Sequence, residues 1–158
     1  VMKSLQSLTE LFKAHIIDAS QLSVWAEDGA LFCGQSQFVD GFEVEYTAIV
    51  FIQNATVAPH VLMLHLVNWL NRYDPHRQEK GLAMPSFALE HLGDGKFDIK
   101  IKLDLQEAFT LQACERGDWM QGDTRYDCVS EFSATVDEDD LDVLVYAVGH
   151  LEDLPCQR

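Results

Sequence analysis

A chain of 158 residues that is 47% hydrophobic is the size of one ordinary domain and carries enough apolar material to bury a core. Its formal charge of −15, with only 11 Lys and Arg, argues against holding a nucleic-acid backbone, because a binder neutralises phosphates with cations; no sequence-specific nucleic-acid binding is expected. No apolar run approaches the roughly eighteen residues of a spanning helix and no signal peptide opens the chain, so no membrane role is expected, and synthesis in the cytoplasm is.

Ser4 is expected to cap a first helix whose apolar positions Leu5, Leu8, Leu11, Phe12 and Ile16 keep to one face. Leu22-Ser23-Val24-Trp25 then enters a strand, Glu27-Asp28-Gly29-Ala30 reads as a turn before Leu31-Phe32-Cys33, and Gly34 to Gln37 reads as a loop. Tyr46 to Ile52 is a long apolar and β-branched run that suits a central strand covered on both faces. Pro59 to Tyr73 reads as a helix, opened by a proline fit for a first turn and closed by Asp74-Pro75. Its polar positions His65, Asn68 and Arg72 form one narrow stripe, which predicts burial on more than one side.

Ser86 to Leu92 reads as a strand, and Gly93-Asp94-Gly95-Lys96 supplies the glycines of a tight hairpin turn. From Phe97 to Gln106 apolar and polar residues alternate without a break, the mark of a long half-buried strand. Asp98, Lys100, Lys102 and Asp104 would form its outer, mixed-charge face. After Leu111 the pattern loosens: loop signals surround Trp119 and Met120, Arg125 to Phe132 suits a short strand, and an acidic run from Asp137 to Asp142 precedes the β-prone Val143 to Val148. The expected architecture is α+β, an antiparallel or mixed sheet of about four to five strands with two helices packed on it, a long central β-hairpin and a C-terminal β arm. Residues 1–111 would form the main domain and residues 112–158 an extension.

Chemical constellations are thin. The carboxylates of Asp137, Glu138, Asp139, Asp140 and Asp142 suit calcium by type, but position twelve counted from Asp137 is Val148, where an EF-hand needs glutamate, so a solvated linker is the preferred reading. Gly93 to Lys96 lacks the spacing and the Ser or Thr of a phosphate loop. Glu90 and His91 are strand neighbours that point to opposite faces. His60 and His65, five apart, do not share a helical face as a metal-binding pair would. Cys33, Cys114, Cys128 and Cys156 have no metal-ligand spacing and are read as free thiols, with a bridge between Cys114 and Cys128 as the alternative. No nucleophile elbow or dinucleotide fingerprint is present, so no enzyme, metal or cofactor is expected. Trp69 and Trp25 are expected in the core, whereas Trp119, in a loop among glycines and charges, suits contact with a partner subunit.

Taken together, the segment Phe42 to Ile52, the apolar helix ending in Val67-Asn68-Trp69-Leu70-Asn71 before Asp74-Pro75, and Lys80-Gly81 leading into the hairpin with Phe97-Asp98-Ile99-Lys100-Ile101 after its turn carry a likeness. In them the chain resembles, from its first helix to about Leu111, the bacteriophage tail completion protein R (GpR) family of temperate phages with contractile tails. The resemblance implies a virion structural protein, made in the host cytoplasm, that finishes the tail tube at its head-proximal end and prepares it for head joining. It implies a homo-oligomeric ring, commonly of six subunits, with tail tube or sheath proteins and head-neck connector proteins as partners. His65, Asn68, Arg72, Asp98, Lys100, Lys102, Trp119, Val143, Val145 and Tyr146 are the candidate interface residues. The arm from Val143 to Val148 is expected to add a strand to a neighbour's sheet, and the acidic balance to keep a ring lumen from holding DNA. A non-virion assembly chaperone and an acidic DNA-mimic inhibitor are the rival readings.

Overall fold

The computed structural model describes residues 2–133 other than Ile17 and the side chain of Ala19. Along the chain run α1 (Lys3–His15), a 3-10 turn (Ala19–Gln21), β1 (Leu22–Phe32), β2 (Gly41–Ala55), α2 (Pro59–Tyr73), β3 (Ser86–Gly93), β4 (Lys96–Ala113), β5 (Trp119–Gln121) and β6 (Thr124–Ser130). The strands form one sheet of six, ordered β1-β2-β4-β6-β5, with β3 also paired to β4. Each pairing among the described residues is antiparallel. The fold is thus α+β as expected, with six strands among the described residues where about four to five were expected.

The alternating stretch explains this layout. It forms the first ten residues after Lys96 of the 18-residue β4, to which the rest of the sheet is attached. One edge of β4 pairs with β2 from Phe97 to Thr110. The other edge is divided: β3 takes Lys96 to Lys102 and β6 takes Phe109 to Ala113. Gly93, Asp94 and Gly95 all have positive φ, which lets the β3–β4 hairpin close in the predicted turn. The sheet continues past Leu111, since β4 runs to Ala113 and β6 returns along it.

Every second residue of β4 faces the helices. Phe97, Ile99, Ile101, Leu103 and Leu105 join Tyr46, Ala48, Val50 and Ile52 of β2 in a core that Leu8 and Phe12 of α1 and Leu62, Leu66 and Trp69 of α2 complete. Burial of each large aliphatic or aromatic side chain contributes about 1.5–3 kcal/mol, so this cluster dominates the favourable side of folding. Trp69 is core as expected, its indole N–H donating to Ser7 Oγ at 3.0 Å. Beyond β6, Phe132 stacks on Tyr73 and Trp69, with ring centroids 5.1 and 6.0 Å apart, and ties the chain's exit from the sheet to the end of α2.

Four expectations are corrected. Ser4 is not the cap of α1: Met2 holds that position, and Ser4 is buried in the first turn. Glu27 to Ala30 is not a turn; β1 runs straight through it with a register shift, and Asp28, at φ 53°, absorbs the extra residue as a bulge. Trp25 lies opposite Ile49 on the face turned away from the helices, where it is half-buried, because β1 pairs with β2 so that Val24 takes the inward place opposite Val50. Among the described residues helix α2 buries one face only. Leu64 and Val67 are 53% and 51% exposed, since α1 covers only one flank of α2 and the sheet only its base.

Candidate interaction surfaces

The divided edge of β4 leaves a gap between β3 and β6, and the chain fills it with polar groups. After α2 the loop folds back so that Arg77, 4% exposed, makes four hydrogen bonds to three acceptors. Its Nε and Nη2 donate to the Ala83 carbonyl at 2.9 and 2.5 Å, and its Nη1 donates to Asp74 Oδ2 at 2.8 Å and to the Asp104 carbonyl of β4 at 2.6 Å. Lys80 Nζ adds a bond to the other Asp74 oxygen at 3.1 Å. A guanidinium fork supplies several donors in one plane, which is what this junction of strand edge, carboxylate and loop requires. The loop that leads into β3 is thereby locked to the middle of β4.

Glu107 lies on the inward parity of β4, two residues beyond Leu105, and is 2% exposed. Its Oε1 accepts the Lys3 N–H at 2.8 Å and its Oε2 the Ser4 N–H at 3.2 Å, so a strand carboxylate caps the first turn of α1. The hydroxyls of Ser4 and Ser130 also bond to it, and Tyr46 Oη lies 2.7 Å from Ser4 Oγ. A negative group at a helix N-terminus satisfies orphan amides and opposes the positive end of the macrodipole. Burial, and secondarily the Glu107 charge, pushes the Tyr46 hydroxyl up to about 12. This network joins α1, β2, β4 and β6. Sequence reasoning missed it, although the parity of positions 97 to 107 marks Glu107 as the one charge in phase with the apolar face.

The candidate interface residues fall on separate surfaces. His65, Asn68 and Arg72 share one flank of α2, the flank toward α1. There the His65 ring stacks on His15 of α1, with centroids 3.5 Å apart and planes 13° from parallel. Burial lowers the pKa of both imidazoles, and His15 lowers that of His65 further. The Arg72 guanidinium carbon stands 5.3 Å from the Tyr73 ring centroid. Asp98, Lys100 and Lys102 line the opposite face of the sheet. There Asp98 accepts the Asn54 N–H at 2.8 Å, and Lys100 Nζ lies 6.0 Å from the Trp25 ring, within reach of a cation–π contact. Trp119 stands on β5 at the far end of the sheet, 49% exposed, beside Met120 at 56%. Val143, Val145 and Tyr146 lie outside the described residues. The calcium reading of the acidic run also falls there.

Larger exposed apolar groups border the sheet at two places. Leu31 and Phe32 at the end of β1, with Phe38 and Val39 in the loop after it, form one; Met84, Phe87, Leu89 and Leu92 in and before β3 form the other. Exposed apolar residues gathered in this way mark contact surfaces. Cys33, Cys114 and Cys128 are free thiols. Among the described residues no group of three or more His, Cys, Asp or Glu is arranged to hold a metal ion, and no helix is long and apolar enough to cross a membrane.

The fold is an antiparallel sheet with helices on one face, and its apolar margins leave extended surface of the kind that meets other proteins. The sequence model of the P2 phage tail completion protein R (GpR) family matches residues 2–127, and the chain belongs to this family. The match passes Leu111 and takes in β5 and most of β6. Its role is therefore structural, in the assembly of a phage tail. Comparison with curated proteins and with solved structures found no match.

Proposed function

We propose that this protein completes the tail at its head-proximal end and readies it for head joining, acting as a ring of its own copies and without catalysis. The observation that carries the reading is the pair of exposed apolar margins, Leu31 and Phe32 on β1 and Phe87 and Leu89 on β3, at opposite sides of the sheet of a tail completion protein. Two different patches on opposite sides suit a head-to-tail contact, and such contacts generate rings when the rotation closes. A ring of six, seated on tube or sheath proteins and meeting the head-neck connector, is the assembly we propose. The charge of −15 would keep its passage from retaining DNA, because like charges repel over a Debye length of about 8 Å. The protein would then reside in the virion tail after assembly in the host cytoplasm.

Electron microscopy of particles produced without this gene tests the reading. Tails of abnormal length, or finished tails that do not join heads, are expected; normal infectious virions refute it. Mass spectrometry of purified particles should find the chain in them, and its absence would favour an assembly chaperone.

A further inference from the structure

The gap on the edge of β4 is filled at its two ends and open between them. Pairing with β3 stops at Lys102, opposite Ser86, and pairing with β6 starts at Phe109, opposite Ser130. In between, the Asp104 carbonyl accepts from Arg77 and the Ala108 carbonyl from the Glu131 N–H. Alternate residues of a strand send their main-chain groups to the same edge, so the N–H and C=O of Gln106, midway between those two, also enter the gap. Among the described residues nothing bonds to them from that side. A cavity of about 250 Å³ opens there, lined by Gln106 and Ala108 of β4, Glu131 and Phe132 after β6, and Trp69 and Tyr73 of α2. Pockets for drug-sized ligands hold about 300–1,000 Å³, and what this smaller space lacks is a short piece of strand.

Parity decides what that piece would meet. A residue opposite Gln106 would carry its side chain on the sheet face turned away from the helices, where the Gln106 side chain lies. On that face Glu45 is level with Gln106, Asp104 lies one row before, and Glu43, Ala108 and Glu131 form the row after. Glu43 is tied to the Gln106 side-chain amide at 2.9 Å and Asp104 to the Thr47 hydroxyl at 2.7 Å. The exposed Glu131 carboxylate bonds to no described group, and Lys80, which also lines the cavity, is engaged by Asp74 at 3.1 Å. Residues on either side of the one opposite Gln106 would turn inward, toward Tyr73 and Phe132.

We propose that an extended segment of a basic partner protein docks in this gap. Its main chain pairs with Gln106, an Arg or Lys side chain lies among Glu131, Glu45 and Asp104, and an apolar neighbour rests on Tyr73 and Phe132. Main-chain pairing to an open ladder position is a recurrent mode of peptide capture, and opposite charges side by side on a sheet attract. Charge selects the source. Beyond Ser133 the sequence has the acidic run from Asp137 to Asp142 and no Lys or Arg before Arg158, and a second copy carries the same −15. A basic partner matches both the local carboxylates and the overall charge, which would steer it in. The proposal concerns a protein other than this chain and does not rest on the ring, so the failure of either leaves the other standing.

The test titrates the ¹⁵N-labelled full chain with an acetylated five-residue peptide that has arginine at its centre, valine on each side of it and threonine at the ends. A saturable shift of the Gln106 amide resonance is expected, with affinity at least tenfold weaker when glutamate replaces the arginine. Glu131→Gln should weaken binding at least fivefold and leave the circular dichroism spectrum that of wild type. No shift at Gln106 at millimolar peptide, equal binding of the arginine and glutamate peptides, or unchanged affinity in Glu131→Gln overturns the proposal. So does a Gln106 amide already protected from hydrogen exchange in the free full chain, the result expected if the residues after Ser133 fill the gap themselves.

Discussion

Replacing Glu107 with alanine should destabilise the protein more than any single surface change. The variant takes the acceptor from two backbone amides of α1, at 2.8 and 3.2 Å, and from the hydroxyls of Ser4 and Ser130. Hydrogen bonds to a charged group contribute about 1.5–3 kcal/mol each, but the total is smaller than their sum. Ser4 keeps Tyr46 as a partner at 2.7 Å, and the desolvation cost of a buried carboxylate disappears with it. The loss of the helix-end charge adds about 1 kcal/mol, which brings the expected cost to roughly 3–5 kcal/mol. In a domain of this size that lowers Tm by roughly 10 °C, at about 2–4 °C per kcal/mol. Glu107→Gln keeps one acceptor oxygen but sets an amide NH₂ among the hydroxyls, for about 1–2 kcal/mol. Glu90→Ala on exposed β3 should stay within about 0.5 kcal/mol. Thermal and urea unfolding followed by circular dichroism measures the series, and hydrogen exchange at Lys3 to Leu8 localises the effect. A Glu107→Ala cost under about 1 kcal/mol, or unchanged protection in the first turn of α1, refutes the capping argument.

Arg77→Ala should cost about 3–5 kcal/mol in urea unfolding, because it leaves the Asp74 carboxylate with Lys80 as its side-chain partner and strands the Asp104 and Ala83 carbonyls; Arg77→Lys should recover only part, since an ammonium cannot fork to three sites. The stacked His15 and His65 give a pH dependence with a definite sign. Their folded pKa values lie below 6.5, so both are neutral in either state above that pH, and stability falls as pH drops through 6.5 because the unfolded chain takes up protons first. A His15→Gln/His65→Gln double variant should flatten the stability profile between pH 7.5 and 5.5 relative to wild type; parallel profiles refute this. Gly41→Ala would set a Cβ 2.4 Å from the Phe109 carbonyl oxygen, and the β2–β4 ladder must shift to admit it. A loss of about 2 kcal/mol or more is expected from such strain, with the Phe42–Phe109 ring stack as the spectroscopic reporter.

Much of the fold was legible because its longest elements obey one period each. Phe97 to Gln106 keeps strict alternation, and Pro59 to Tyr73 has both a proline start and an Asp74-Pro75 stop, so both stand where the sequence puts them. What misled was local chemistry put to a non-local use. Asp28 and Gly29 have turn residues' freedom of φ, which β1 spends on a bulge because β2 continues opposite them. Ser4 has the type of a cap, but a carboxylate from a strand more than a hundred positions away does the capping. The apolar circumference of α2 suggested burial all round, and only the observed packing shows that Leu64 and Val67 remain outside. The candidate interface residues do not make one surface: His65 with its neighbours and Lys100 with its neighbours sit on opposite sides of the sheet, because sequence order does not show which face each element turns to the sheet.

The central place of β4 also dictates an order of events in folding. The β1–β2 hairpin and the β3–β4 hairpin join residues close in sequence, whereas β2 meets β4 across separations that reach from 42 residues at Ala55 and Phe97 to 69 at Gly41 and Thr110. Closing such loops costs entropy before any contact rewards it, so long-range pairing of this kind slows folding. On a ribosome adding about 5–20 residues per second, β2 waits for several seconds with its apolar face unmatched until Thr110 has been made. The length of β4 that lets one strand organise the whole sheet therefore makes the nascent chain most prone to aggregate between synthesis of Ala55 and completion of that strand.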